Sequence, residues 1–433
     1  MTRITSIKGR IIHDSRGNKT IEVDIISDDQ FLGRTCAPAG ASVGKNEAIS
    51  FPEGKPEESL RILNENSKKF LELDPNDLKI IDDTIKSIDN TSNFSKVGGA
   101  LAYAVTIAAM ESAAKALGEP LFKLISEQNS YRFPIPLGNL LGGGAHAGPG
   151  TPDIQEILIS ATGAKTIRDA IETNFSVHKE LRKEIEKTDS SFTNGRGDEG
   201  GWAPKCDNEE ALELCARTCE NLGYALGKDV SLGVDFASST QWNEKKQKYI
   251  YERAGFENTP EQQIEFTSNI IEKYKLNYAE DAVHEEAFED MSKLTSKFPN
   301  TMITGDDLTV TNEGKLKQAI SMGSCNAAIL KVNQAGSLFD ALEFAKVAND
   351  NNVKLITSHR SGESIDSHIT HIGIGTNSKL LKIGIVGGER IAKLNELIRL
   401  SEHDLIQGVA PVSYTHLRAH ETRHDLVCRL LLE

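Results

Sequence analysis

Residues 276–280 read LNYAE, 301–306 TMITGD, 327–331 AAILK, 353–359 VKLITSH and 380–382 LLK, five apolar runs that each stop on an acid, a lysine or a histidine. A sixth run, SLGVD at 231–235, precedes them. From Glu280 the terminal residues Asp306, Lys331, His359 and Lys382 follow at steps of 26, 25, 28 and 23 residues. That length holds one buried strand, one helix and two short loops, the repeat of a β/α barrel. Strand C-termini of such a barrel open on one face, so Asp235, Glu280, Asp306, Lys331, His359 and Lys382 are expected to converge there. One such residue would read as an ordinary strand boundary facing water. Five consecutive units ending alike read as a site.

The segments between the runs carry helix periodicity. EEAFEDMSKLTSKF (285–298), SLFDALEFAKVAND (337–350) and ERIAKLNELIRLS (389–401) place apolar residues three and four apart. Strand and helix in alternation imply parallel strands with right-handed crossovers. Residues 1–130 differ. ITSIKGRIIHD (4–14), TIEVDIIS (20–27) and FLGRTCAP (31–38) read as three strands, followed by helical stretches at 58–73, 77–88 and 100–117. The fold class expected is therefore α/β: an N-terminal α+β cap, a three-stranded sheet plus helices, over residues 1–130, then a β/α barrel over 131–408. Pro134 and Pro136 mark the junction, and the last helix is expected to run through Ile406.

From 409 to 433 the composition breaks. VSYTHLRAHETRHDLVCRLLLE carries three His and three Arg in a chain otherwise sparse in both, and residues 412–422 resemble translated sequencing-adapter DNA. This tail is expected to be non-native and outside the fold.

A net charge of −14 argues against a nucleic-acid partner, which needs a basic face. The start, MTRITSIKGR, lacks the apolar core of a signal peptide. GGALAYAVTIAAM (98–110) is short and soon followed by Glu111 and Lys115, so a buried helix is expected and no membrane insertion. Six cysteines without a C-x-x-C pair suit reduced thiols and a cytoplasmic setting, with Cys215 and Cys219 used for packing.

Asp235, Glu280 and Asp306 offer hard oxygen ligands from three strands, which suits Mg²⁺; zinc would prefer a spaced set of His or Cys. The competing reading pairs these acids with Lys and Arg across the mouth. Lys331 can serve as a base only when neutral, so its pKa is expected to be depressed, by metal and by Lys382. His359, Arg360 and Ser361 form a donor cluster fit to grip a phosphate or carboxylate. His146 sits in a glycine-rich loop, Gln155 and Glu156 open a strand, and Asp198 and Glu199 lie among glycines, where a carboxyl can protonate a leaving hydroxyl opposite Lys331. APAGASVGKN (37–46) falls short of a phosphate-binding P-loop, since Asn46 stands where Ser or Thr is needed.

Taken together, DSRGN (14–18), GAS-x-G (40–44), the His146 loop, QE (155–156), GDEGG (197–201), GDDLTVTN (305–312), LKVNQ-x-G (330–336), SHRSGE (358–363) and ERIAKLN (389–395) resemble the enolases, in family order and over about residues 3 to 405. The archaeal-type members look most similar. The resemblance implies an enolase-type, TIM-like barrel and Mg²⁺-dependent dehydration of 2-phosphoglycerate to phosphoenolpyruvate. It implies Lys331 as base at C2, Glu199 as acid at the C3 hydroxyl, Glu156 supporting that acid and His146 nearby. It further implies a first Mg²⁺ on Asp235, Glu280 and Asp306, and a second, bound with substrate, helped by Ser42. Gln155, His359, Arg360, Ser361 and Lys382 would contact substrate. A homodimer or higher oligomer in the cytoplasm is implied, with a secondary cell-surface or secreted pool left open. Ala282, Ile383 and Gly144 depart from the family pattern, and Ile383 puts the pocket around Lys382 in question. Rival readings are a superfamily relative acting on a non-phosphorylated acid, and a non-catalytic binding or structural role. The first is disfavoured by the full set of phosphate contacts, the second by the survival of every ligand.

Overall fold

The structure, a computed structural model, describes residues 2–40 and 46–411. Its N-terminal part opens with an antiparallel sheet of Ile4–His13, Lys19–Ser27 and Phe31–Cys36, in sequence order. One face is covered by the Ala-rich helix Gly99–Leu117, buried over most of its length. The small side chains allow a very close approach: a Cβ on Gly33 would lie 1.9 Å from the carbonyl oxygen of Ala108. This is the one helix among the described residues long and apolar enough to cross a membrane, and 78% of its most apolar window is buried inside the fold. Helices Pro56–Asn66 and Leu78–Asp89 complete the cap; Asp77 starts the second by accepting from the backbone N–H of Ile80.

The second part is a closed barrel of eight strands. In chain order they are Ile135–Gly142, Glu156–Ser160, Ser231–Asp235, Tyr278–Glu280, Met302–Gly305, Ala327–Leu330, Lys354–Ser358 and Leu380–Lys382. The fourth to the eighth run parallel, as expected, with Glu280 beside Asp235 and Lys382 beside Ser358. The second does not. Glu156–Ser160 is antiparallel to both neighbours, with Glu156 opposite Asp235 and Gly142. Its N-terminal end therefore lies at the mouth where the others end. EILIS is buried at every position, so no periodicity betrays its direction.

The helices cover the barrel as the periodicity predicts, at Phe288–Lys297, Leu338–Asp350 and Gly388–Leu400. The last is six residues shorter than expected, ending at Leu400 instead of Ile406. SEHD breaks its apolar stripe, and Ile406–Val409 becomes a strand beside Tyr131–Phe133. That strand carries the fold past Gly408: the Ala410 N–H donates to Phe133 O at 2.7 Å, and Ala410 is buried. The segment 412–433 lies outside the described residues. Cys215 and Cys219 are fully buried in the helix-facing core, as expected of packing residues.

Candidate active site

The residues read from strand ends meet at one mouth. Glu199, Asp235, Asp306, Lys331, His359 and Lys382 all line a single cavity, joined by His146, Gln155, Arg360 and Ser361. Glu156 and Glu280 lie beneath it with no exposed surface. Ser42 lies outside the described residues, as does half of the rejected P-loop match (41–45); nearby Gly40 borders the cavity. The cap closes the site from above through Ala39 and Gly362, which exchange backbone hydrogen bonds at 2.8 and 2.9 Å.

Charge at the mouth is unbalanced. The Lys382 Nζ lies 2.6 Å from Glu156 Oε2, 2.6 Å from Glu280 Oε2 and 3.1 Å from Asp235 Oδ2. Lys331 donates to Asp306. The reading in which the acids pair with lysines thus describes part of the geometry. It does not satisfy them. Glu280 Oε2 accepts from the Tyr278 hydroxyl and Lys382, yet its buried Oε1 has no hydrogen-bond partner. Burial and then the Asp235 charge push the Glu280 carboxyl up to about 8. Burial and then Glu199 push Glu156 up to about 7. A group of carboxylates this short of positive charge fits a divalent cation. Glu156, Asp235 and Glu280 present oxygens within 4.8 Å of one another; Asp306 forms a second such group with Asp281 and Asp307.

The expectation of a depressed Lys331 pKa is not met by the chain's own charges. Burial lowers it most, and Arg360 and Lys382 lower it further, but Asp306 and Glu280 together outweigh them and the net direction is upward. Two lysines repel more weakly than a buried lysine and the carboxylate it touches attract. Lys382 is driven well upward too, because three acids overcome its burial.

Around Glu199 lies a different arrangement. The GDEGG loop brings Glu199 against the exit of the eighth strand, so tightly that a Cβ on Gly200, at φ +84°, would lie 2.4 Å from Val386 O. Glu199 Oε2 is 2.7 Å from His359 Nε2, and Glu199 Oε1 is 3.8 Å from His146 Nδ1. Burial opposes ionisation of Glu199, but the His359 and His146 rings hold its carboxyl well below the usual range. Burial lowers the His146 pKa, yet Glu199 and Glu156 raise it to about 9. The titrations of Glu156 and Glu199 are therefore linked, with His146 Nδ1 3.8 Å from an oxygen of each. His359, assigned from sequence to substrate, lines the cavity and also meets Glu199.

Several polar residues here had no role in the sequence reading. Glu47 of the cap receives Arg360 Nη1 at 3.1 Å, and Gln334 Nε2 donates to Asp306 Oδ1 at 3.0 Å and Glu47 Oε1 at 3.3 Å. Arg390 is fully buried behind His359. Gln334 and Arg390 stand inside motifs quoted above, and that was their only signal. Ile383 and Ala282 are buried in apolar clusters on the helix side, so neither departure changes the cavity lining.

Comparison with known proteins agrees with this geometry. A family model described as "Enolase, N-terminal domain" matches residues 4–125, and one described as "Enolase, C-terminal TIM barrel domain" matches residues 130–412. The chain is 44% identical to an enolase of Methanosphaera stadtmanae over 409 residues, 94% of this chain and 99% of the relative. It is 43% identical to an enolase of Methanothermobacter thermautotrophicus over 92% of this chain and 96% of the relative. Identity to an enolase of Pyrobaculum aerophilum is 38%, over 91% and 95%.

Proposed function

The chain belongs to the enolase family, and on that premise we propose how its residues divide the work of dehydrating 2-phosphoglycerate to phosphoenolpyruvate, the hydro-lyase reaction of an enolase. Lys331 takes the proton from C2 of the substrate. Glu199, on the far wall, delivers a proton to the departing C3 hydroxyl. Glu156 shares that proton with Glu199, and His146 flanks both. Arg360 and Ser361, with Gln155, His359 and Lys382 around them, bind the substrate's phosphate and carboxylate.

The family is Mg²⁺-dependent, and enolase-superfamily sites are the standing example of a Lys or His base working with such ions. Asp235, Glu280 and Asp306 would hold the first ion, and Ser42 would help hold a second that arrives with substrate; bound there, Mg²⁺ supplies charge to neutralise the carboxylate dianion formed on loss of the C2 proton. The orphaned Glu280 Oε1 supports this assignment. Positive charge held there would also oppose the hold of Asp306 on Lys331, so that the lysine could act as base.

The single observation that carries the reading is one cavity lined by both Lys331 and Glu199, with Asp235 and Asp306 among its walls. Absorbance of phosphoenolpyruvate formed from 2-phosphoglycerate tests it. Turnover should vanish with EDTA and return with Mg²⁺; none in the presence of Mg²⁺ overturns the reading. The division into cap and barrel near residue 130, a homodimer or larger assembly, a cytoplasmic setting and a non-native tail belong to the same proposal. Light scattering that returns the mass of one chain would remove the oligomer from it.

A further inference from the structure

The wall that carries Glu199 holds a fully buried cation that the reaction scheme does not use. Arg390 comes from the first turn of the helix after the eighth strand. Its Nη1 lies 2.9 Å from His359 Nδ1 and 2.8 Å from Arg360 O; its Nη2 lies 2.9 Å from Ser361 O and 3.3 Å from Asp198 O. Three carbonyls thus fix the plane of the guanidinium and leave it aimed at the imidazole. On the other side of that ring, Nε2 meets Glu199 Oε2 at 2.7 Å. Arg390, His359 and Glu199 are 0%, 2% and 4% exposed, so no bulk water competes for these contacts.

A guanidinium has five donors and no acceptor. His359 Nδ1 can therefore meet it only with a lone pair, and the ring's one proton must sit on Nε2, pointing at Glu199. We propose that Arg390 is a positioning residue for the acid of the reaction: it locks His359 in the neutral Nε2–H tautomer, which occupies Glu199 Oε2 with a donor and leaves Oε1 as the oxygen that receives the proton shared with Glu156 and passes it on. The opposite tautomer would put a bare lone pair against the carboxylate and unseat it. The charged groups facing the ring are Arg390, Glu199 and Glu363; burial, helped by Arg390, outweighs the two acids and pushes the His359 pKa down to about 4. Glu199 Oε1 is the oxygen nearer His146, at 3.8 Å, on the side of the shared proton. The logic parallels a catalytic triad, where losing the group that fixes the histidine tautomer costs about 10⁴ in kcat.

The inference rests on Glu199 being the acid, and two measurements separate the claims. Imidazole nitrogen NMR of the full chain labelled with ¹⁵N-histidine, with His359 assigned by the loss of its signals in His359→Gln, reads the tautomer directly. The expected result is an unprotonated Nδ1 and a protonated Nε2 from pH 5 to 8. A protonated Nδ1 or an imidazolium at pH 7 overturns the proposal. In Arg390→Lys, dehydration should fall about tenfold or more, and by more than exchange of the C2 proton with D₂O. His359→Gln keeps a donor near Glu199 but has no tautomer to lock, so adding Arg390→Lys to it should cost little further. Full additivity of the two losses would mean that Arg390 merely ties the loops together, and would overturn the proposal. Should the Arg390 variants fail to fold, the spectrum of the unaltered enzyme still decides. If Glu199→Gln loses exchange and dehydration equally, the acid assignment fails while the tautomer result stands.

Discussion

The cap sheet and the barrel mouth each gather acids and cations, and they do so to opposite ends. On the sheet, Arg10 bonds Glu22 and Asp24, and Arg34 Nε reaches Asp24 Oδ1 at 2.7 Å. Two arginines meet two acids, with the arginines 32% and 48% exposed. Burial works against the Asp24 charge, but the arginines win and hold its carboxyl far below the usual range. At the mouth, Lys382 and Lys331 face Glu156, Asp235, Glu280 and Asp306, all buried. There Glu156 and Glu280 are pushed upward. The cap cluster is balanced, so it helps the chain fold. The mouth carries more negative charge than its own cations can neutralise, a cost to folding that makes sense as a place for a divalent ion.

Removing a cation from each region should show the difference most sharply. Lys331→Ala should lower turnover by at least about 10²–10⁴-fold and abolish exchange of the C2 proton with D₂O. Arg10→Ala should leave turnover alone. Exchange that persists without Lys331 would sink its role as base. Glu199→Gln comes next, with dehydration falling about 10²-fold or more while C2 exchange continues; equal loss of both would make it a residue that shapes the whole site.

Asp306→Asn removes one negative charge from the mouth. We expect the Mg²⁺ concentration for half-maximal activity to rise about tenfold, equivalent to about 1.4 kcal/mol, and the stabilisation by Mg²⁺ in a thermal melt to shrink. An unchanged titration would show that Asp306 is not a ligand.

A pair joining the two halves gives a smaller, pH-dependent effect. Glu111 of the long cap helix lies 3.4 Å from His368 of the barrel. Burial raises the Glu111 pKa, but His368 and neighbouring donors bring it down to about 2 from an ordinary 4.5. Burial lowers that of His368, but Glu111 and Asp366 carry it above 6.5. A depressed acid stabilises above its unfolded pKa and loses that contribution as pH falls; a raised histidine stabilises below its unfolded pKa and loses it as pH rises. The pair should therefore contribute most between about 4.5 and 6.5. His368→Gln should destabilise by about 1–3 kcal/mol in that window and by less on either side. A pH-independent loss in thermal melts would refute the linkage.

The smallest effect belongs to the end of the chain. A protein stopped at Pro411 should match the full chain in melting temperature and turnover, whereas stopping at Gly408 removes the Ala410 bond to Phe133 and should cost about 1 kcal/mol. A melting point several degrees lower for the Pro411 variant would show that residues 412–433 belong to the fold.

By itself the sequence determined the barrel, the cap and the roll of chemistry-bearing residues at the mouth. Those are local facts: strand length, helix periodicity and a polar residue where each strand ends are written into consecutive positions, as in AAIL before Lys331 or TMITG before Asp306. Direction and partnership are not local. EILIS reads the same whichever way it runs, and only closure of the barrel turned Glu156 to the mouth by its strand's first residue. Glu47, Gln334 and Arg390 reach the site from the cap, from the turn after the sixth strand and from a helix start, so no spacing along the chain connects them to Asp306 or His359. Protonation is least local of all. The same lysine that sequence reasoning wanted neutral is held charged by Asp306, and His359 takes its proton where Arg390 leaves room for one, because a buried group's charge is set by whatever the fold places within a few ångströms of it.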